Sequence, residues 1–402
     1  MKQRILFFHH CGTIGGAGIS GLNFLSCIPK DKYEVIIYSV SVQSDMVNLF
    51  KENGYEVIAG GVNPVSYTHC VGSEKFALSI KTFANGYRVI KSRKPVEVVI
   101  KEVSPDVVIV NSMTLFWIGK IAKKYSIKTA CFFRETYIHG LFGVRTSIIK
   151  KNLSKYFDKI AFISNYELVR SRKIKGYKKT IYNMVRPDGY DKYTKGQARE
   201  KLVLSADKFY ILFVGGFNKL KGTKVLLQAL YKIKDENINV LFVGGAIDQI
   251  EQGEKNKSFL RKVKGFFVKS YNKKCIDYIY KHNLKDKILF FGSQKDVAPF
   301  YRAADVLVFP MTAPHQARPL FEAGYAKVPV IITDFENIKE LANQNNSYLF
   351  KNEDSNDLAQ KIILVKENYE SAIKKAEVNY QYTVDRHSPE VYKNQIIDFL
   401  EQ

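Results

Sequence analysis

Short apolar runs alternate with helix-like segments along the whole chain, and this rhythm constrains the fold more than any single residue does. The runs fall at 4–8, 34–39, 55–58, 106–110, 128–133, 159–163 and 179–182 in the first half, and at 209–214, 239–243, 287–291, 305–309, 329–332 and 347–350 in the second. Most are continuous, the pattern of strands buried on both faces. A strand that returns parallel to its predecessor needs a crossover, usually a helix, so the alternation predicts an α/β architecture with covered parallel sheets. At 402 residues the chain exceeds the ~250–300 residues at which a single core stops growing, so two lobes are expected. The polar stretch 183–195, with Pro187, Asp188 and Gly189, follows the last strand of the first half and marks the boundary, giving lobes at 1–185 and 186–379.

Charge adds a constraint on partners. Sixty-two basic residues against 39 acidic leave a net +23, a field that concentrates nucleoside diphosphates, lipid pyrophosphates, anionic membrane or nucleic acid without choosing among them. No nucleic-acid reader motif accompanies the charge, so a nucleic-acid partner is not expected. Cysteines at 11, 27, 70, 131 and 275 show neither paired spacing nor Cys-x-x-Cys, which points to a reduced cytoplasmic setting. The apolar start at 5–8 is too short for a signal-peptide core, and no run approaches the ~18 apolar residues of a spanning helix, so membrane association would be peripheral.

The most chemically specific stretch is PMTAPHQARPLFEAGYAKVPVIITDFENIKE at 310–340. It follows the run at 305–309 and enters a helix at about Pro319, proline being favoured at the start of a helix. In such a βαβ unit ligands bind beyond the carboxyl ends of the strands. Glu322, expected in the first helical turn, offers two acceptor oxygens suited to paired ribose hydroxyls. The surrounding backbone amides suit a phosphate. Upstream, Val214-Gly215-Gly216-Phe217 with Lys221-Gly222 follows another strand, where a lysine can neutralise a diphosphate leaving group.

On these residues the chain resembles the family 4 glycosyltransferases, retaining enzymes of the GT-B fold. Glu322 with Ala-Gly-Tyr-Ala-Lys-Val-Pro-Val-Ile-Ile-Thr-Asp is similar to the family's second motif glutamate and the helix and strand after it. Gly215, Gly216 and Lys221 are similar to its phosphate loop, and Phe291-Gly292 with Ala303-Ala304-Asp305-Val306 to the run-in, so the likeness covers most of 209–350. Two positions depart from the pattern. Pro314 stands where the family has a first glutamate, with His315 beside it, and Gly216 stands where an arginine is common; Arg318 is then the candidate for the missing charge.

Other candidates come from the residues themselves. Gly12, Gly15, Gly16 and Gly18 lead from the first strand into a helix expected near Ile19, and either let the backbone approach a phosphate or sugar or form a plain tight turn. Arg134 and Glu135 end the run at 129–133, either facing a ligand cleft or sealing a loop as an ion pair, with His139 nearby. His9 and His10 end the first strand, and Ser164-Asn165 end another, as ligand groups or as a helix cap. The segment 255–274 holds eight lysines or arginines and no acid. Its Lys262, Lys264, Phe266, Phe267 and Lys269 suit either a helix on anionic lipid or a solvated surface helix.

The resemblance implies two Rossmann-like lobes facing a cleft, the N-terminal one holding acceptor and the C-terminal one the nucleotide sugar, with 380–402 crossing back to the first lobe. It implies a retaining, metal-independent transfer from a UDP or GDP sugar to a glycan hydroxyl, without a cofactor. Donor contacts fall to Gly15, Gly16, Gly215, Gly216, Lys221, Arg318, Pro319, Leu320 and Glu322, and catalytic roles to Arg134, Glu135 and His315. The charge and the basic segment agree with a polyprenyl-pyrophosphate-linked acceptor at the inner face of a bacterial membrane, in capsule, O-antigen or exopolysaccharide assembly. A GT-B sugar-nucleotide epimerase, or a silent GT-B binding partner, stands as the alternative.

Overall fold

The computed structural model describes residues 2–12, 14, 16–39, 44–60, 80–137, 143–233, 237–245, 271–314 and 317–402. Gly15, His139, His315 and the expected membrane contacts Lys262, Lys264, Phe266, Phe267 and Lys269 lie outside these residues. The chain divides into two compact units, Met1–Met184 with Pro389–Gln402, and Val185–Ser388.

The first unit is a seven-stranded parallel sheet of β1 (Gln3–His9), β2 (Tyr33–Ser39), β3 (Glu56–Ala59), β4 (Val107–Val110), β5 (Lys128–Phe133), β6 (Lys159–Phe162) and β7 (Tyr177–Thr180), in the order β3-β2-β1-β4-β5-β6-β7. Because side chains alternate along a strand, β1 sends Leu6 and Phe8 into one core and Ile5 and Phe7 into another, on opposite faces. The second of these cores includes Tyr392, Ile396 and Phe399 from the last helix, Pro389–Glu401, and Phe399 meets Phe132 edge-on at 5.4 Å. The return to the first unit therefore begins at Pro389 rather than at 380. Helix Tyr369–His387 runs through 380 without a break and stays in the second unit.

The second unit holds a six-stranded parallel sheet of β8 (Phe209–Val214), β9 (Ile238–Val243), β10 (Ile288–Phe290), β11 (Val306–Phe309), β12 (Val330–Thr333) and β13 (Tyr348–Phe350), in the order β10-β9-β8-β11-β12-β13. In each sheet the strand order reverses once, between β1 and β4 and between β8 and β11. Helices leave on opposite faces at such a point, opening a crevice beyond the carboxyl ends of the two strands. The first helix starts at Gly16, earlier than the glycine pattern implies.

Candidate functional site

In the second unit the crevice lies beyond β8 and β11, and backbone contacts fix its walls. Gly222 has φ +75°, and a Cβ there would stand 1.6 Å from the carbonyl oxygen of Pro310, so the loop after β8 presses directly on the end of β11. Thr312 donates from its amide to Leu220 O at 3.1 Å and from its hydroxyl to Lys219 O at 2.8 Å, joining the two loops. The stem of Lys221 lies over Gly215, where a Cβ would come within 2.9 Å of its Cγ. Its ammonium sits 4.8 Å above the Phe309 ring. Burial lowers the Lys221 pKa to about 8, an effect the nearby Glu322 carboxylate opposes.

Glu322 is held on both oxygens. Arg318 Nε donates to Oε1 at 2.9 Å and the buried Tyr301 hydroxyl donates to Oε2 at 2.7 Å. Helix Arg318–Ala326 places Arg318 and Glu322 one turn apart on one side, so Glu322 belongs to the second turn, not the first. The helix is clamped from behind: Asn379 Nδ2 donates to Leu320 O at 3.0 Å, and Phe321 stacks on His387 at 3.6 Å between centroids. The backbone around the expected donor contacts is largely committed. Pro319 has no amide proton, and the Leu320 amide donates to Ala317 O at 2.9 Å, so neither offers a phosphate a free N–H. Likewise the Gly215 and Gly216 amides both donate to Val243 O, at 3.0 and 3.2 Å. What these glycines contribute is shape: Gly215 leaves a bare backbone under Lys221, and Gly216 leaves room for the Gly244 carbonyl.

The first unit carries a polar cluster at the carboxyl ends of β1, β4 and β5. Arg134, 8% exposed, donates from Nε to Asn111 Oδ1 at 3.0 Å, from Nη1 to Asn183 Oδ1 at 2.8 Å and from Nη2 to Ser20 O at 3.4 Å. This fixes the Asn111 amide, whose Nδ2 then donates to His9 Nδ1 and to Ala17 O, each at 3.2 Å. Burial, then His10 and Arg134, lower His9 to about 3; burial and Arg134 lower His10 to about 4, so both are neutral imidazoles at pH 7. The half-buried Glu135 accepts from the Ser112 hydroxyl on Oε1 and from the Met113 and Arg134 amides on Oε2, both at 3.1 Å. Burial outweighs these bonds and lifts its carboxyl to about 7. Arg134 and Glu135 thus make no side-chain ion pair with each other, the second of the two readings of this pair, and each takes other partners. Gly16 opens the helix beside this cluster with open space where a Cβ would be, and Ser164 caps helix Asn165–Arg170 by accepting from the Glu167 amide.

Residues 194–382 match the family model described as glycosyl transferases group 1. No curated protein matches the sequence. Among solved structures, Anabaena HepE in complex with UDP aligns over 100% of both chains at TM-score 0.76 and 18% identity. A glycosyltransferase from Rickettsia africae aligns over 100% of this chain and 98% of its own at 0.74 and 19%. Sucrose-phosphate synthase from Thermosynechococcus elongatus aligns over 100% and 99% at 0.74 and 17%. The chain therefore has the two-lobed Rossmann-like α/β fold of the GT-B glycosyltransferases.

Within the matched stretch the structure brings Lys221, Arg318 and Glu322 together and adds Tyr301, which sequence reasoning missed. Tyr301 lies in helix Ala298–Ala303, an apolar stretch without a motif signal. Asn111 and Ser112 carried a usable signal: they directly follow β4, as Arg134 and Glu135 follow β5. Removing the Tyr301 hydroxyl leaves one Glu322 oxygen without its donor. A hydrogen bond to a charged group contributes about 1.5–3 kcal/mol. Tyr301→Phe is therefore expected to lower thermal stability modestly and to weaken nucleotide affinity on the order of tenfold. Equal UDP affinity in the two proteins by calorimetry would remove Tyr301 from the site.

Proposed function

We propose that the protein is a glycosyltransferase of the family 4, retaining kind, moving a sugar from a nucleoside diphosphate sugar, of UDP or GDP type, to a glycan hydroxyl. The observation that carries this is the half-buried cation Lys221 near the braced carboxylate Glu322 at the β8/β11 switch point. One suits a diphosphate and the other a ribose diol. The match of 194–382 to glycosyl transferases group 1 and the UDP complex of the Anabaena neighbour support the same reading.

In this transfer the bond from the anomeric carbon to the β-phosphate oxygen breaks, a bond to the acceptor oxygen forms on the same face, and the acceptor proton passes to the departing phosphate. Lys221 and Arg318 offset the charge that develops on that phosphate. On the first unit Glu135, with a carboxyl near pH 7, is the group suited to exchanging a proton at neutral pH. A lipid-pyrophosphate-linked acceptor in surface polysaccharide assembly fits the net +23 charge.

Thermal shift with UDP, GDP and their sugars, followed by transfer or hydrolysis of the radiolabelled donor, tests the reading. A ligand at 100 times its Kd adds about 2.7 kcal/mol of stability. Lys221 gives the binding a pH signature. Its folded pKa near 8 lies below the free lysine value of 10.5, so the free site loses its charge as pH rises through 8. UDP affinity should fall from pH 8 to 10, and Lys221→Ala should bind weakly with a flatter profile. The same shift means the unfolded chain holds more protons between pH 8 and 10.5, so this group's contribution to stability rises across that window. Failure of every nucleotide to stabilise the protein would reject the donor assignment and leave the silent binding partner.

A further inference from the structure

Resting on the reading in which Glu322 takes a ribose diol and Lys221 a diphosphate, we propose that Arg318 makes the site select phosphorylated nucleosides over bare ones. In the free protein it covers Glu322, and an incoming diphosphate draws it off the carboxylate.

The two partners of Glu322 stand on different sides of it. Tyr301 is fully buried and holds Oε2 from the core, whereas the Arg318 side chain is 41% exposed and holds Oε1 from the solvent side. Between them they leave the Glu322 side chain only 9% exposed. A sugar arrives from solvent, and two ribose hydroxyls cannot reach both carboxylate oxygens through so small an opening. Tyr301 is fixed, its ring packed edge-on against Tyr190 at 5.7 Å. Arg318 is the partner able to move. Its contact runs through Nε alone and not through the paired N–H groups of a bidentate fork, and among the described residues its two Nη groups have no hydrogen-bond partner. Exposed pairs one helical turn apart contribute a factor of about two, and exposed pairs in general at most about five. The cover is therefore loosely held.

The surroundings decide what draws it away. Pro319 has no amide proton and the Leu320 amide is bound to Ala317 O, so a phosphate at this helix start turns to the Arg318 side chain. Lys221 lies within the field of the Glu322 carboxylate, which places a diphosphate held by Lys221 on the side where Arg318 stands. Arginine commonly grips phosphate through two parallel N–H groups, where Glu322 engages one. As the guanidinium turns to the diphosphate, the solvent face of Glu322 opens to the ribose of the same ligand. A nucleoside has no phosphate to offer and must displace Arg318 unaided. It is disfavoured twice, once by the missing phosphate contact and once by the cover.

Calorimetry on wild type and Arg318→Met with UDP, uridine, GDP and guanosine tests this. Methionine keeps most of the aliphatic stem and removes the guanidinium. The substitution should weaken the bound diphosphate about tenfold or more, the contribution of a hydrogen bond to a charged group. It should tighten the nucleoside of the same base about two- to fivefold, because the pair no longer has to be broken. The gap between the two affinities should then shrink at least ~20-fold. The opposite signs separate this role from simpler ones: a residue that only contacts phosphate would leave the nucleoside unchanged, and one that only steadies Glu322 would weaken both ligands. Arg318→Ala should repeat both changes, and melting temperatures near wild type, expected at a partly exposed position, serve as the fold control. Nucleoside binding no tighter in the variants than in wild type, undetectable binding in both included, overturns the proposal and leaves the donor reading standing. Diphosphate binding as tight as wild type overturns it as well. If wild type binds neither UDP nor GDP, the donor reading itself fails and the proposal falls with it.

Discussion

Glu322→Gln should cut transfer by roughly 10- to 150-fold while the protein stays folded, the range that corresponds to 1.5–3 kcal/mol for a hydrogen bond to a charged acceptor. The environment makes the substitution clean. Arg318 Nε can only donate, so the amide oxygen of Gln must face it, and the amide nitrogen then faces Tyr301. The Tyr301 hydroxyl rotates from donor to acceptor and satisfies that nitrogen, so no buried polar atom is orphaned. What is lost is the charge. Arg318 loses its ion-pair partner, but it is partly exposed and water takes over. Glu322→Ala is a harsher change, because it leaves the buried Tyr301 hydroxyl without an acceptor, and it should also lower the melting temperature. Steady-state kinetics on the donor, with circular dichroism as the fold control, separate the two effects. A Gln variant with wild-type kinetics would remove Glu322 from donor binding.

The strands were legible because a buried parallel strand is a short apolar run bounded by polar residues, and β5 and β8 begin and end where their runs do, at 128–133 and 209–214. β7 lies about two residues before its expected run at 179–182: Lys178 and Lys179 make its centre polar, and the apolar Ile181 and Tyr182 lie just beyond it. Lys221, Arg318 and Glu322 were legible because they sit at fixed offsets from strand ends. Their supporting partners were not. Tyr301 precedes Glu322 by 21 residues and His9 precedes its partner Asn111 by 102, separations with no local signature. Backbone direction was equally hidden. The glycines after β8 looked like phosphate ligands, yet their amides turn toward Val243, a consequence of positive φ that sequence does not display.

Positive φ also decides the second large effect. Restoring the arginine that resembling enzymes carry at position 216 should damage this protein. Gly216 has φ +63°, and a Cβ there would lie 2.3 Å from the carbonyl oxygen of Gly244, a backbone atom held by the Gly244 amide's bond to Gly292 O at 2.6 Å. The left-handed conformation alone costs a non-glycine residue about 1–2 kcal/mol. The collision adds to this, because neither loop can yield without breaking its own bonds. A loss of about 2–4 kcal/mol corresponds to roughly 4–16 °C in melting temperature for a unit of this size. Gly216→Arg and Gly216→Ala should fall together, and both should bind UDP more weakly than wild type, since the displaced loop carries Lys221. Gly196→Ala is the matched control. Gly196 lies in helix Lys195–Lys201 with open space at its Cβ position, so alanine should be neutral or add up to about 1 kcal/mol. If Gly216→Arg melts no lower than wild type and binds UDP more tightly, the loop adopts another backbone path, and position 216 is a lost cation site rather than a steric requirement.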